Sequence, residues 1–193
     1  MYKNNSEEDQ DIKIAGDSFE SAANDDSEGD QTARELQREK DNGNLNRARR
    51  LGAIMADDVS AIEGDSPSGD SVLMTQRRIL LAFAVAVGLE SFLSSSLLSE
   101  TAQSVFYDTL RETAPSFYED LQESNAFSFY YLCVRDGGQV ETKVGKTFAS
   151  LCGMTDNETY ARMGEELYRR FIGQVQHYTE VLAFVPSERS TGV

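Results

Sequence analysis

Residues 79–89 read ILLAFAVAVGL, a run of consecutive positions without a single polar side chain. Arg77 and Arg78 precede this run, and Glu90 follows it. A helix that is apolar on every side has to be shielded from water by surrounding protein or by lipid. The run therefore predicts either the central helix of a protein core or a membrane-spanning segment.

The length of the apolar pattern distinguishes these two interpretations. A transmembrane helix needs about 20 apolar residues, but here Glu90 and a serine run at 94–96 interrupt the pattern. Carboxylates and serines inside a span are tolerated mainly where they face protein. We therefore predict a buried core helix over residues 72–98. The alternative is a single-pass membrane protein with its span at 79–98.

Charge and aromatic content divide the chain near its first third. Residues 1–71 carry 8 basic and 18 acidic side chains, whereas 16 of the 18 aromatic residues lie between Phe83 and Phe184. A segment with strong net charge and few large apolar side chains cannot bury enough surface to offset its ordering entropy. We therefore predict a mostly disordered acidic tail over 1–71, a helical domain over 72–186 and a frayed C-terminus at 187–193.

One segment inside the predicted tail has the apolar spacing of a helix. Between residues 45 and 63, large apolar side chains recur at steps of three and four, at Leu51, Ile54, Met55, Val59 and Ile62. Such an isolated amphipathic helix is expected to form on binding, either as a lid on its own domain or against another protein. Leu51, Met55, Val59 and Ile62 are therefore candidate partner contacts.

The rest of the chain predicts further helices, which gives an all-α bundle of about five helices around the central one. Residues 99–113 have a helical apolar pattern, and Pro115 fits the first turn of the next helix. Residues 155–158 have the spacing of a capping box and predict the start of a long final helix. Pro186 is expected to stop that helix.

Residues 127–134, FSFYYLCV, are the most aromatic part of the chain. Their propensity also fits a β-strand followed by a hairpin turn at 136–137, but no third strand is evident, so we predict a helix. The aromatic side chains exceed what one helix face can bury. Phe127, Tyr130 and Tyr131 are therefore candidate contacts with another protein, with a second copy of the chain or with a small apolar ligand.

We find no residue pattern that indicates a catalytic, metal or cofactor site. Gly145-Lys146-Thr147 lacks the first glycine of a phosphate-binding loop, because Val140 occupies that position. His177 is the only histidine, which excludes two-histidine metal motifs. Cys133 and Cys152 are too few for a disulfide framework. We therefore expect a non-enzymatic protein without a cofactor.

Glu90 is the carboxylate to check, because it belongs to the most apolar helix. A buried carboxylate is paired or has a raised pKa, and some such groups are catalytic. The simpler expectation is that Glu90 lies at the edge of the bundle or pairs with an arginine such as Arg111, Arg162 or Arg169.

The net charge of −15 narrows the classes of partner. Binding to nucleic-acid phosphates needs a basic face, and anionic membranes attract basic segments. We therefore expect neither nucleic acid nor an anionic membrane surface as a main partner.

The polar, acidic opening MYKNNSEEDQ lacks the pattern of a signal peptide, and we expect a cytoplasmic protein with reduced thiols. We expect a helical protein-interaction or regulatory module that uses the tail and the aromatic face. The alternatives are a bundle that binds a small apolar ligand and the membrane-anchored protein.

Overall fold

The computed structural model describes residues 22–61 and 71–186 of the chain, with side chains at 29–61 and 72–186. Within these ranges every regular element is a helix, which confirms the all-α prediction. Eight helices are present, and six of them lie in the part of the chain for which about five were expected. They are α1 (Ala22–Asp41), α2 (Asn44–Ser60), α3 (Ser71–Phe92), α4 (Ser96–Thr113), α5 (Pro115–Glu123), α6 (Ala126–Arg135), α7 (Val140–Leu151) and α8 (Glu158–Val181). The chain divides into two units, residues 1–37 and residues 38–193.

Helix α3 is the core of the second unit. All residues from Ile79 to Leu89 are buried, because α2, α4, α5, α6, α7 and α8 all pack against this helix. The predicted continuation to residue 98 is wrong, since α3 ends at Phe92. The serine run supplies the break: Ser95 caps α4, and its Oγ accepts a hydrogen bond of 3.4 Å from the backbone N–H of Leu98.

Helix α2 belongs to this same core, and the second unit begins at residue 38, whereas the predicted helical domain began at residue 72. Its main packing partner is α4. Leu51, Met55 and Val59 are completely buried. The total charge of residues 1–71 is misleading here, because the charged residues of α2 lie on the outer face and leave one complete apolar stripe for the core. Of the predicted helix, Ile62 lies outside the described residues.

Helix α1 also differs from the expected disordered tail. The structure is helical from Ala22 to Asp41, and Arg34 forms an ion pair with Asp30 one turn earlier. Pairs at this spacing support a helix surface by a few tenths of a kcal/mol, roughly 0.2–0.5. The prediction of disorder for residues 1–21 and of fraying for 187–193 concerns residues outside those described.

Helices α7 and α8 cross at very short distance. A Cβ atom added to Gly145 would lie 2.3 Å from the carbonyl oxygen of Ala161, and one added to Gly164 would lie 2.7 Å from the Cβ of Phe148. Gly145 is the glycine of the Gly-Lys-Thr sequence. It lies inside α7 and is buried, so this sequence packs two helices and forms no phosphate-binding loop.

Helix α8 begins one residue after Asn157, and this side chain caps it. Asn157 Oδ1 accepts hydrogen bonds from the N–H groups of Thr159 at 3.0 Å and Tyr160 at 3.3 Å. The predicted long final helix is thus present, although Asn157 takes the capping role expected of Thr155. Its predicted end at Pro186 is wrong, because α8 already ends at Val181.

Asn44 connects the two ends of the second unit. Its Nδ2 donates to Glu39 Oε2 at 2.6 Å and to the carbonyl oxygen of Val185 at 2.9 Å. Its Oδ1 accepts from the N–H of Val185, also at 2.9 Å. Glu39 and Asn44 are both fully buried, so these bonds satisfy polar groups that water does not reach.

Candidate functional site

The candidate contacts of α2 are part of the core. Leu51, Met55 and Val59 have no exposed surface and pack within the bundle, mainly in the layer formed with α4. A partner has no access to them in this structure, which agrees with the alternative that this segment packs on its own domain. The apolar stripe that the sequence indicated is present on α2, and it packs against other helices of the same chain.

The candidate aromatic residues of α6 surround one phenylalanine of the central helix. The ring centroid of Phe83 lies 5.4 Å from that of Phe127, 5.2 Å from Tyr130 and 5.1 Å from Tyr131. Tyr130 is fully buried and Tyr131 is 41% exposed. Of these three side chains, Tyr130 is therefore fully inside the protein, whereas Phe127 is half-buried and Tyr131 is partly exposed.

The helix assignment for residues 127–134 determines which other side chains face outward. Residues 126–135 form α6 instead of a strand, and at helical spacing the positions opposite Tyr130 and Cys133 point away from the core. Phe129 is 49% exposed and Leu132 is 43% exposed. We name Phe129, Tyr131 and Leu132 the α6 face.

A groove lies beside the α6 face. Its volume is about 420 Å³, and it runs between α6 and α7, lined by Phe129, Lys146, Thr147, Ser150 and Leu151. Lys146 is exposed and has no ion-pair partner in the described parts of the chain. The groove therefore combines an apolar wall with a free positive charge at its rim.

Glu90 lies at the surface, which agrees with the simpler expectation of a position at the edge of the bundle. Its Oε1 accepts a hydrogen bond of 3.2 Å from Gln103 Nε2. None of the three arginines considered as partners forms an ion pair with it in the described chain: Arg111 pairs with Asp108, and Arg169 pairs with Glu141. Burial, followed by the nearby Glu90 carboxylate, raises the pKa of Tyr131.

A second concave site lies where α2, α3 and α8 meet. This crevice has a volume of about 200 Å³ and is lined by Asp58, Arg77, Leu167, Arg170, Phe171 and Gln174. Gln174 Nε2 donates to Asp58 Oδ2 at 2.5 Å. Burial raises the pKa of the Asp58 carboxyl; the Gln174 hydrogen bond lowers it in part, and the charge of Asp57 raises it further.

The thiols and the histidine are not assembled into a reactive constellation. Cys133 is buried, and its Sγ lies 3.3 Å from the hydroxyl of Thr147 and 3.4 Å from the carbonyl oxygen of Phe129. Cys152 is also free of a disulfide. His177 is exposed on α8 beside Tyr178. The described residues contain no group of three or more His, Cys, Asp or Glu side chains that could hold a metal ion.

One helix in the described ranges, Val72–Phe92, is long and apolar enough to cross a membrane. Two thirds of its most apolar part, 67%, is buried inside the protein. The core helix of a water-soluble bundle has the same length and composition as a span, so these properties alone carry little weight.

The residues of these candidate sites that the sequence analysis did not predict as contacts are Phe129, Leu132, Lys146 and the crevice side chains. The signal for Leu132 was its position three residues after Phe129 on a helix whose buried face contains Tyr130. Comparisons with protein-family models, with curated proteins and with solved structures found no match.

Proposed function

We propose that this chain is a non-enzymatic helical protein-interaction or regulatory module, and that it binds another protein through the α6 face. The observation that carries the proposal is the exposure of Phe129 and Leu132, which are 49% and 43% accessible while the intervening Tyr130 is fully buried. Large apolar side chains grouped beside a groove are typical of protein-binding surfaces.

The groove favours a particular class of partner. Phe129 and Leu151 provide an apolar wall, and Lys146 provides a positive rim. An amphipathic helix of another protein matches this surface when apolar residues on one side enter the groove and an acidic residue reaches Lys146. Because the net charge of −15 makes most of the remaining surface repel acidic segments, we expect the partner helix to be acidic only where it reaches Lys146.

The proposal places the protein in the cytoplasm, without a cofactor and without nucleic acid as a partner. A chain with only two cysteines has no disulfide framework, which supports a reducing compartment. The excess of acidic side chains, 33 against 18 basic ones, disfavours binding to phosphate backbones.

Self-association through the α6 face, a small apolar ligand and a membrane anchor remain the competing functions. Light scattering on the detergent-free full-length chain addresses the first and the third, because a dimer mass indicates self-association and recovery only from membranes indicates an anchor. Native mass spectrometry of protein purified from cells addresses the second, because a bound ligand adds its mass.

The decisive experiment compares two variants of the tagged full-length chain in cells of its own source. In Phe129→Ser/Leu132→Ser the α6 face loses its apolar side chains, whereas Val181→Ser removes an apolar side chain that is 61% exposed on α8. We expect the proteins captured by the wild type and by the Val181 variant to be absent from the double variant, with unchanged thermal unfolding in all three. Equal capture by the double variant would exclude the α6 face as the binding surface.

The tail is tested separately. Removal of residues 1–70 is unsuitable, because it would also remove α2 and its buried Leu51 and Met55. Removal of residues 1–21 leaves every described helix intact. If this shorter chain captures the same proteins in the same amounts, the tail has no role in the interaction.

A further inference from the structure

The crevice between α2, α3 and α8 contains two arginines that the described chain leaves without an acidic partner. Arg77 Nε is buried and forms no hydrogen bond in that part of the chain, and Arg77 NH1 lies 3.9 Å from the sulfur of Met74, which is a weak acceptor. Arg170 is exposed on α8 and forms no ion pair with a described residue. An unsatisfied guanidinium N–H is costly, because burial removes its water without replacing the hydrogen bond.

Arg77 and Arg170 differ in this respect from Arg111 and Arg169. Arg111 pairs with Asp108, and Arg169 pairs with Glu141. Arg78, next to Arg77, is turned towards α5, where its guanidinium carbon lies 4.1 Å from the centre of the Phe117 ring. In a protein with an acidic excess of 15, two arginines that converge on one cavity are therefore available for an external anion.

The charge balance, the apolar wall and the volume of the crevice indicate which class of anion it can bind. Arg77 and Arg170 contribute two positive charges and Asp58 one negative charge, which leaves a single positive charge to balance. Gln174 Nε2 already donates a hydrogen bond of 2.5 Å to Asp58 Oδ2, so this carboxylate oxygen has a partner within the chain. Leu167 and Phe171 supply an apolar wall, and the volume of about 200 Å³ equals that of roughly six or seven water molecules.

We propose that this crevice binds a small monocarboxylate with a short hydrocarbon part. The guanidinium groups of Arg77 and Arg170 would donate to the carboxylate oxygens, a geometry for which arginine is suited, and the hydrocarbon part would contact Leu167 and Phe171. This site does not depend on the α6 face, so either proposal stands without the other.

Thermal unfolding of the full-length chain tests the site, with sodium butyrate as the probe and sodium chloride at matched ionic strength as the reference. A ligand that binds only the folded chain raises the unfolding temperature in a saturable manner. We expect this butyrate-specific rise in the wild type and in Arg50→Met, which removes an exposed arginine of α2. In Arg77→Met/Arg170→Met the rise should disappear.

Arg170→Met alone keeps the test independent of folding defects, since this side chain is exposed. It should weaken butyrate binding about tenfold, the effect of one charge-assisted hydrogen bond. No butyrate-specific rise in the wild type, or an equal rise in both arginine variants, would overturn the proposal. A larger rise with inorganic phosphate than with butyrate would overturn the assignment to carboxylates, because it would indicate a site for a more highly charged oxyanion.

Discussion

A single methyl group added at Gly52 tests the closest helix crossing of the fold. Gly52 is a buried residue of α2, and the Cβ atom of an alanine there would lie 2.2 Å from the carbonyl oxygen of Ala102 and 3.1 Å from the nitrogen of Phe106, both in α4. Real Cβ contacts are essentially never below 3.0 Å. Because both neighbours are backbone atoms that cannot rotate away, the Gly52→Ala variant has to separate α2 from α4.

The expected cost follows from two opposing effects. Overpacking of this kind lowers the free energy of unfolding by up to about 3 kcal/mol. Alanine is about 1 kcal/mol more favourable than glycine in a helix interior, which offsets part of this loss. The net loss is therefore about 2 kcal/mol of the free energy of unfolding. With a denaturant slope of about 2 kcal/mol per molar, the urea midpoint should fall by about 1 M.

Gly173→Ala is the matched control for this experiment. Gly173 is an exposed residue of α8, and an added Cβ atom there meets no atom within 4 Å. The same substitution should therefore stabilise the protein by about 0.5–1 kcal/mol. Urea unfolding of both variants, followed by circular dichroism at 222 nm, should give shifts of opposite sign. A Gly52→Ala variant as stable as the wild type would refute the close crossing of α2 and α4.

Three further substitutions test individual polar groups by urea unfolding. Tyr130→Phe should be neutral or stabilise by up to about 1 kcal/mol at pH 7, because the Tyr130 hydroxyl is buried and has no hydrogen-bond partner in the described chain; a clear loss of stability would reveal a partner. Burial also raises the pKa of Tyr130. The fold is therefore not weakened by this group below the unfolded-state pKa of about 10, and it loses stability as the pH rises above that value. The Tyr130→Phe variant should consequently lose less stability than the wild type in strongly alkaline buffer. Asn44→Ala should destabilise by about 2–4 kcal/mol, because it removes the hydrogen bonds to Glu39 and Val185 in a buried site; a loss below about 1 kcal/mol would contradict that role. Asn157→Ala should cost about 1 kcal/mol through the lost cap of α8, and no change would assign the capping to Thr155 instead.

The central helix was predictable from sequence because its apolar run leaves no polar face at all. Its end was not predicted correctly, since a serine run permits both a continued helix and a new cap. The outcome depends on Ser95 Oγ accepting a hydrogen bond from the N–H of Leu98, a local cap that the sequence permits but does not require. The long final helix was predictable for the opposite reason, because a capping signal and a regular stripe agree over its whole length.

Helix α2 shows where composition misleads. Net charge averages the outer and the inner face of a helix, and the inner face alone decides whether Leu51, Met55 and Val59 find a core. The α6 face presents a related difficulty. Sequence identified an aromatic excess, but the neighbour Phe83 determines that Tyr130 is inside and Phe129 outside.

The crevice had no sequence signal. Its polar side chains come from positions 58, 77, 170 and 174, on three helices, and no spacing rule connects them. Such a site becomes visible only when the packing of the helices is known.

The complete burial of residues 79–89 also has a kinetic consequence. Six helices pack against α3, so we expect the backbone amides of this segment to meet solvent only when the whole unit opens. In deuterated water these amides should exchange last. After correction for the intrinsic exchange rate of each amide, they should share one free energy of opening, that of global unfolding. The amides of α6, which has an exposed face, should exchange earlier through local opening. Exchange at the amides of this apolar run would then report the global unfolding of the unit.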